Sequence, residues 1–430
     1  MVLIYFYIYY GAAGIHKQLF IRMTIMLFIL HLLKERGHYY HKDEKSYMSV
    51  LNLLKTISKR LAYNNQHSFW ENVPLQKKII EGFGEPADDI ERSFFQYRCQ
   101  KIISFSGISF LVNFCSFFLF LYFLYFRRSD KIEGKRVDGY FTDKRNESRI
   151  PESIRCGYEQ LIIGDLGKEY LSRTDKKLIL KLVERYPFEW QFHLKCLIKL
   201  RGYSYIINSY SPKAIITCNE YSFTSSFLTY YCELNGVKHI DVMHGDKVYY
   251  IRDSFFHYHI MYVWHEHFIH LFEKLRAHCD EYIVEIPKCF YINQNGVIPQ
   301  NDFTYYLQIA DREELIKLES ALRVLKENNM VISIRPHPIV SKISDINEIF
   351  ADYNIENNDA VSIEESIRNT NAVISINSTV IFQAYCNNKR IVIDDVSEPK
   401  LFSALEDMMY MGVNIDHVLL SRVRDNALRV

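Results

Sequence analysis

The chain of 430 residues carries 52 basic and 51 acidic side chains and has a formal net charge of +1. This length suits two or three domains, and the near-neutral charge excludes an overall electrostatic grip on nucleic acid, so we predict no nucleic-acid partner. A composition of 48% hydrophobic and 24% charged residues also excludes a disordered chain.

Two apolar regions in the first third of the chain indicate contact with a membrane. Residues 1–33 are apolar but broken by basic and histidine side chains, so one interrupted span, two short hairpin segments and a signal-anchor all remain open. Residues 102–126 form an uncharged run. As a helix this run reaches about 37 Å, enough to cross a hydrocarbon core of about 30 Å. We therefore predict a transmembrane helix over 102–126.

The charges and cysteines indicate which side of the membrane the rest of the chain occupies. By the positive-inside rule, a basic cluster directly after the predicted span places the following residues in the cytosol. The nine cysteines are scattered without paired spacing, which is typical of a reducing compartment. We expect a cell-membrane protein with a cytoplasmic catalytic part. The basic cluster consists of Arg127, Arg128, Lys131, Lys135 and Arg136.

The segment 34–101 between the two apolar regions is predicted to be helical. Leu51, Leu54, Ile57 and Leu61 recur at helical spacing, and a Gly-Glu-Pro turn at 84–86 precedes a further helical pattern. The sequence defines this segment as a juxtamembrane helical module without indicating its role.

Beyond Gly139, short β-type runs alternate with helical patterns in two sets. The first set occupies 140–295, a polar connector follows, the second set occupies 302–400, and 401–430 is predicted as a helical tail. Such alternation favours an α/β fold with two Rossmann-like doubly wound domains that face each other across a cleft. In that architecture, ligands bind at the carboxyl ends of the strands.

Two motifs of the second set follow predicted strands. In Arg335-Pro336-His337-Pro338 the prolines stiffen the turn, and an Arg with a His at a strand end suits a phosphate; the alternative is a structural turn. In the run 375–379 a strand passes into a helix whose hydroxyls and N–H groups could bind an anion; the alternative is an ordinary helix cap. The hydroxyl candidates of that run are Ser375, Ser378 and Thr379.

The first set has two strand-end candidates of its own. His244-Gly245-Asp246-Lys247 follows a predicted strand, where the glycine admits a ligand and His244 could act as a general base. Glu220 follows the preceding strand and would project toward the same cleft, with Lys247 as a further cleft candidate. A loop histidine without a role and a solvated carboxylate are the alternatives.

The histidine-rich stretch 257–270 does not match a zinc-protease motif. That motif requires a second His four residues after the first, whereas Ile269 occupies this position after His265. We expect solvated histidines on an amphipathic helix there. No metal site and no cofactor are predicted.

The ordered motifs resemble those of the two-domain GT-B transferases of bacterial surface polymers. The pattern is closest to the CDP-glycerol glycerophosphotransferases (teichoic acid polymerases) and related capsule polysaccharide transferases, and bacterial sialyltransferases share the His-Pro and Ser/Thr motifs. The resemblance covers roughly 155–400, most strongly 330–395. It rests on His244-Gly245 with Lys247, on the run 335–338, and on the run 375–379 with the later Asp394-Asp395.

The resemblance implies a role for each motif. His244 is the expected catalytic residue, with Glu220 as a second acid/base candidate. The donor phosphates are expected on His337 and the Ser/Thr loop, with Arg335 beside them and Asp394 as a further cleft candidate. The family commonly has Thr-Pro after His-Gly, and Asp246 departs from this pattern.

The implied function is transfer of a sugar or alditol-phosphate from a nucleotide-activated donor, of the cytidine or uridine type, to a polysaccharide, polyol-phosphate or lipid-linked acceptor. The domain at 140–295 would hold the acceptor and the domain at 302–400 the donor. The alternatives are an enzyme like the nucleotide-sugar 2-epimerases and a non-catalytic, membrane-tethered scaffold of capsule assembly. A transporter is disfavoured because one strong span forms no pathway.

Overall fold

The computed structural model describes residues 72–104, 109–293, 296–308, 310–338 and 341–427. The apolar segment 1–33 and the first part of the helical module, 34–71, lie outside the described residues.

The first domain contains a six-stranded parallel sheet with the strand order β2-β1-β3-β4-β5-β6. The order reverses between β1 and β3, which makes the carboxyl ends of these two strands the topological switch point. The strands are β1 (Gly139–Phe141), β2 (Leu161–Ile163), β3 (Ala214–Thr217), β4 (Lys238–Val242), β5 (His257–Val263) and β6 (His278–Val284).

The second domain contains another six-stranded parallel sheet, with the order β12-β11-β10-β7-β8-β9. Its switch point lies between β7 and β10, as in a dinucleotide-binding domain. Both sheets confirm the predicted pair of Rossmann-like domains. The strands are β7 (Asn301–Tyr306), β8 (Ile332–Arg335), β9 (Asn354–Ile355), β10 (Thr370–Ser375), β11 (Arg390–Ile393) and β12 (Val418–Leu419).

Helices connect the strands and cover the sheets. Capping boxes start two of the longer ones, with Ser172 and Asp175 at the fifth helix and Asp311 and Glu314 at the ninth. The α-helices are α1 (Val73–Glu81), α2 (Asp89–Ser104), α3 (Ser109–Leu121), α4 (Glu152–Gly157), α5 (Arg173–Arg185), α6 (Trp190–Tyr210), α7 (Ser225–Leu234), α8 (Glu266–Lys274), α9 (Arg312–Glu327), α10 (Ile343–Ile349), α11 (Ile363–Arg368), α12 (Thr379–Cys386), α13 (Pro399–Ala404) and α14 (Leu420–Ala427).

The described part of 102–126 gives no support to the predicted transmembrane helix. Its first residues end α2, and beyond 105–108 the chain continues as α3 and a π-helical turn at Tyr122–Phe126. Phe120 and Leu124 are buried in the core of the first domain, which contains residues of α6. Part of the apolar run is therefore explained by packing on protein. In the portion of the chain that the structure describes, we find no helix with both the length and the apolar character needed to cross a membrane.

Helices α1 and α2 are integrated into the first domain. Gln76 accepts a hydrogen bond from the Ile251 N–H at 2.9 Å, and Ser93 accepts one from the Phe227 N–H at 2.7 Å. Arg276 also donates to the carbonyl of Phe83 at 2.7 Å. The described part of the predicted juxtamembrane module is thus continuous with the fold.

The carboxyl-terminal segment contains more than the predicted helical tail. Residues of β12 pair with β11 and complete the second sheet, and α14 packs against α9. Asp395 fixes this end by accepting hydrogen bonds from the Ser421 N–H at 2.9 Å and its hydroxyl at 2.5 Å.

Candidate functional site

The structure places the first-domain candidates at adjacent strand ends. Glu220 follows β3, which borders the switch point, and His244 follows β4, the neighbouring strand. Because parallel strands end at the same edge of a sheet, both side chains emerge above the carboxyl edge. Lys247, in the same loop as His244, reaches back to this edge.

Glu220, His244 and Lys247 form one network. Lys247 Nζ lies 2.6 Å from Glu220 Oε1, and His244 Nδ1 lies 3.1 Å from Glu220 Oε2. Glu220 and Lys247 are buried, whereas His244 is partly exposed, with the Tyr221 ring 5.4 Å from its own. At this distance a neutral His244 donates its Nδ1–H to the carboxylate, which leaves Nε2 as the nitrogen able to accept a proton.

The charges of this network support one another. Burial acts to raise the pKa of Glu220, but Lys247 and His244 hold that pKa below its usual range. Burial in turn acts to lower the pKa of Lys247, and the Glu220 carboxylate keeps it raised. The pair therefore remains a carboxylate and an ammonium group, and Glu220 stays available as an anion beside His244.

Two further carboxyl groups lie near this network. Asp241, at the end of β4, accepts a hydrogen bond from the Asn219 N–H at 2.8 Å, and burial followed by the Glu220 charge raises its pKa well above the usual range. Burial also raises the pKa of Asp246 to about 7. Both carboxylate oxygens of Asp246 are shielded from solvent and have no hydrogen-bond partner among the described residues.

The loop of Asp246 meets the second domain at the start of α12. The Asp246 N–H donates to the Thr379 hydroxyl at 3.4 Å, so the His244 loop and the Ser/Thr loop contact each other. Ser378 caps α12 by accepting from the Val380 N–H, and the Tyr410 hydroxyl accepts from the Ser378 N–H at 2.8 Å. Ser375 is buried below them and donates to the Tyr306 carbonyl at 2.8 Å.

The remaining second-domain candidates have internal partners. Arg335 is buried and pairs with Glu356 at 2.8 Å. Asp394 is buried and accepts hydrogen bonds from the Tyr305 hydroxyl at 2.6 Å and from the Ser397 hydroxyl and N–H. The His337 N–H donates to the Ser341 hydroxyl at 2.8 Å, and burial lowers the pKa of its half-buried imidazole. Arg335 and Asp394 therefore support the strand ends from within.

The sequence interpretation missed Gln96 and Tyr410 and noted Asp246 only as a departure from the family pattern. Gln96 of α2 donates from its amide to the Glu220 carbonyl at 3.2 Å and to the Arg252 carbonyl at 3.1 Å, which fixes the backbone of the Glu220 loop. The Tyr410 hydroxyl accepts from the Ser378 N–H at the start of α12, and the Asp246 N–H donates to Thr379 at the same helix end. The departure of Asp246 from the family pattern was the one available signal; Gln96 and Tyr410 are distant in sequence and left none.

Comparisons with known proteins are limited to weak structural similarity. No family model matches the sequence, and no curated protein matches it. Solved structures with similarity include the UDP-N-acetylglucosamine 2-epimerase from Rickettsia bellii, at 11% identity over 69% of this chain and 95% of that one, with a TM-score of 0.34.

Two further solved structures show the same degree of similarity. The wall teichoic acid polymerase TagF with CDPG is 8% identical over 78% of this chain and 97% of that one, with a TM-score of 0.34. Anabaena HepE in complex with UDP and glucose is 9% identical over 68% of this chain and 99% of that one, with a TM-score of 0.37. Since these scores are low, function has to be argued from the site.

Proposed function

We propose that this protein is a GT-B-type transferase. It moves a sugar or an alditol-phosphate from a cytidine- or uridine-type nucleotide donor to a polysaccharide, polyol-phosphate or lipid-linked acceptor. The observation that carries the proposal is the meeting of two strand-end sites at the 3.4 Å contact between Asp246 and Thr379. One site holds an acid/base network and the other a helix amino terminus.

The acceptor side uses His244 as the general base. Its Nδ1 is held by Glu220, so Nε2 can take the proton of an acceptor hydroxyl as that oxygen attacks. Glu220 stabilises the imidazolium that forms, and Lys247 keeps Glu220 ionised. Glu220 and Lys247 are positioning residues in this scheme, and His244 is the catalytic residue.

The donor side uses the switch point of the second sheet. A diphosphate bound at the carboxyl ends of β7 and β10 would meet the amino terminus of α12, where N–H groups and the helix dipole favour an anion. Ser378 and Thr379 would contact the phosphates, with His337 at the end of the adjacent β8. Arg335, Ser375 and Asp394 would hold these strand ends in place.

The transfer step balances without a further reactant. The acceptor oxygen forms a bond to the anomeric carbon of a sugar, or to the phosphorus of an alditol-phosphate, and gives its proton to His244. The bond to the nucleotide breaks, and the nucleotide leaves with the electron pair and with its phosphate charge on the α12 terminus. The protonated His244 then returns its proton to solvent.

The test is a nucleotide panel on the full chain. CMP, CDP, UDP, GDP and their sugar or glycerol conjugates are compared by thermal shift, and product formation is followed with oligosaccharide or polyol-phosphate acceptors. One nucleotide series should raise the melting temperature. His244→Ala should keep that shift and lose about 10²–10⁴-fold in transfer rate. His270→Ala, on the exposed face of α8, is the matched control.

Other outcomes identify the rival functions. If the protein converts a nucleotide sugar into its 2-epimer without any acceptor, the proposed transferase function is wrong and the protein is an epimerase-like enzyme. A folded chain that binds no member of the panel would contradict the donor site and favour the scaffold.

We also propose that the protein works at the cytoplasmic face of the cell membrane. Phe110, Phe114, Phe118 and Tyr125 recur on one face of the segment 109–126 and are exposed, Phe110 by 83%. The exposed basic cluster 127–136 follows directly, which suits anionic lipid headgroups. All nine cysteines are free thiols, in keeping with the cytosol.

Vesicle flotation tests this placement. The full chain should bind vesicles that contain phosphatidylglycerol more strongly than phosphatidylcholine vesicles, and Phe110→Ser/Phe114→Ser should weaken binding several-fold. Ile316→Ser, at an exposed apolar position on α9, is the control and should have no effect. Unchanged binding of the double variant would exclude this face as the contact.

A further inference from the structure

Two histidines and an aspartate come together at the amino edge of the first sheet. His257 begins β5 and His278 begins β6, and the two are register partners in this parallel pair. Asp280 lies two residues along β6 and therefore on the same face as His278. One ligand atom from each of these three side chains lies within 4.8 Å of the other two.

A fourth residue fixes the orientation of His257. Both carboxylate oxygens of Asp89, at the start of α2, lie 2.8 Å from His257 Nδ1. The opposite nitrogen, Nε2, lies 3.2 Å from Asp280 Oδ1, and His278 Nε2 lies 3.7 Å from the same oxygen. Asp89 thus holds one side of the imidazole while the other side faces both remaining groups.

We propose that His257, His278 and Asp280 bind a zinc ion, with Asp89 as the positioning residue of His257. A carboxylate that accepts the second N–H of a metal-bound histidine is the usual outer partner in such sites. Two imidazoles and one carboxylate suit Zn²⁺, whereas Mg²⁺ and Ca²⁺ prefer oxygen ligands alone. Three protein ligands leave a fourth position for water.

The exposure of the proposed ligands and the charge around them both suit an ion that binds from solution. His278 and Asp280 are 54% and 49% exposed, so an ion reaches them without opening the fold. The two carboxylates bring negative charge, which the nearby Arg92 guanidinium partly offsets. The competing explanation is that a protonated His257 alone bridges Asp89 and Asp280, without a metal.

The site is separate from the proposed transferase centre. β5 and β6 begin at these histidines and run for seven residues each, about 20 Å, toward the opposite edge. Since Asp89 belongs to α2, a bound ion would tie α2 to the sheet. The expected role is therefore structural, and the readout is binding and thermal stability.

The experiment is a zinc titration of the tag-free full chain after chelator treatment and dialysis. Calorimetry should give a site of micromolar or tighter affinity, and zinc, but not magnesium, should raise the melting temperature. His278→Ala and His257→Ala should each remove that one equivalent. Asp89→Asn should weaken it about 10–100-fold. His270→Ala, paired with Glu273 on exposed α8, is the matched control and should bind as the parent does.

Two results would overturn the proposal. One is that the parent chain binds no zinc; the other is that His278→Ala keeps the same number of zinc ions and the same thermal shift. His278 is largely exposed, so this variant should fold even where His257→Ala does not. Cobalt gives an independent readout, since the visible absorption of tetrahedral Co²⁺ should be lost in His278→Ala.

Discussion

The carboxyl edges of the two sheets carry similar residues but use them differently. In the first domain, Glu220 binds Lys247 at 2.6 Å and His244 at 3.1 Å, and His244 stays partly exposed. In the second domain, the charges of Arg335 and Asp394 are satisfied within the fold. A strand-end position thus predicts where a polar residue lies, whereas its partners decide whether it can act on a ligand.

Glu220→Gln is the most severe test of the first-domain network. The substitution removes the ion-pair partner of the buried Lys247, so we expect the free energy of unfolding to fall by about 3–5 kcal/mol and transfer activity to disappear. Denaturant unfolding measures the first effect. Glu220→Gln/Lys247→Met should recover much of the stability but no activity, and a single variant as stable as the parent would contradict the network.

Arg335→Met tests the second domain in the same way. It leaves Glu356 buried without its partner, so we expect a loss of about 3 kcal/mol in the free energy of unfolding. Nucleotide affinity of the folded variant should remain within about twofold, because Arg335 points to Glu356. A large loss of affinity at unchanged stability would make Arg335 a direct phosphate contact.

Asp246 contributes a pH dependence where the two edges meet. Its pKa of about 7 exceeds the usual value of 3.8, so the folded state holds the proton more tightly than the unfolded chain. The stabilisation is complete below the unfolded pKa and is lost as pH rises through the folded one, by roughly 2.5 kcal/mol between pH 5 and 8. Asp246→Asn should flatten this dependence in thermal unfolding from pH 5 to 8. Asp407→Asn, at an exposed position, should not; equal slopes in all three proteins would exclude a protonated Asp246.

Of these substitutions, Thr379→Val should have the smallest effect, and that effect should be on nucleotide affinity and not on stability. Among the described residues, the side-chain hydroxyl has only a long contact, to the Asp246 N–H at 3.4 Å, so the melting temperature of the free protein should stay nearly constant. Nucleotide affinity should fall about tenfold, as for one lost hydrogen bond to a charged group. Ser403→Ala, at a hydroxyl near the exposed end of α13, is the control. An unaltered nucleotide affinity would mean that the donor phosphates do not bind at the start of α12.

The sequence predicted the two parallel sheets and the residues at their carboxyl ends because alternation of β runs and helices is a local signal. The predicted transmembrane helix over 102–126 finds no support among the described residues, and hydrophobicity along the chain does not distinguish lipid from the packed surface of α6. The pairing of Arg335 was equally hidden, because its partner Glu356 lies 21 residues further along the chain, directly after β9. Tyr410 reaches Ser378 from 32 residues away, which no spacing rule anticipates.

The anchoring of the Glu220 loop by α2 sets a practical boundary for expression. A fragment starting at residue 130, the natural design around a membrane span at 102–126, would delete Gln76, Ser93 and Gln96. The buried N–H groups of Phe227 and Ile251 would then lose their acceptors, at about 1–3 kcal/mol each. A fragment that keeps these contacts therefore begins no later than residue 72, since the Glu220 loop, whose carboxylate holds the proposed base His244, is fixed by Gln96 of α2, a helix outside the sheet.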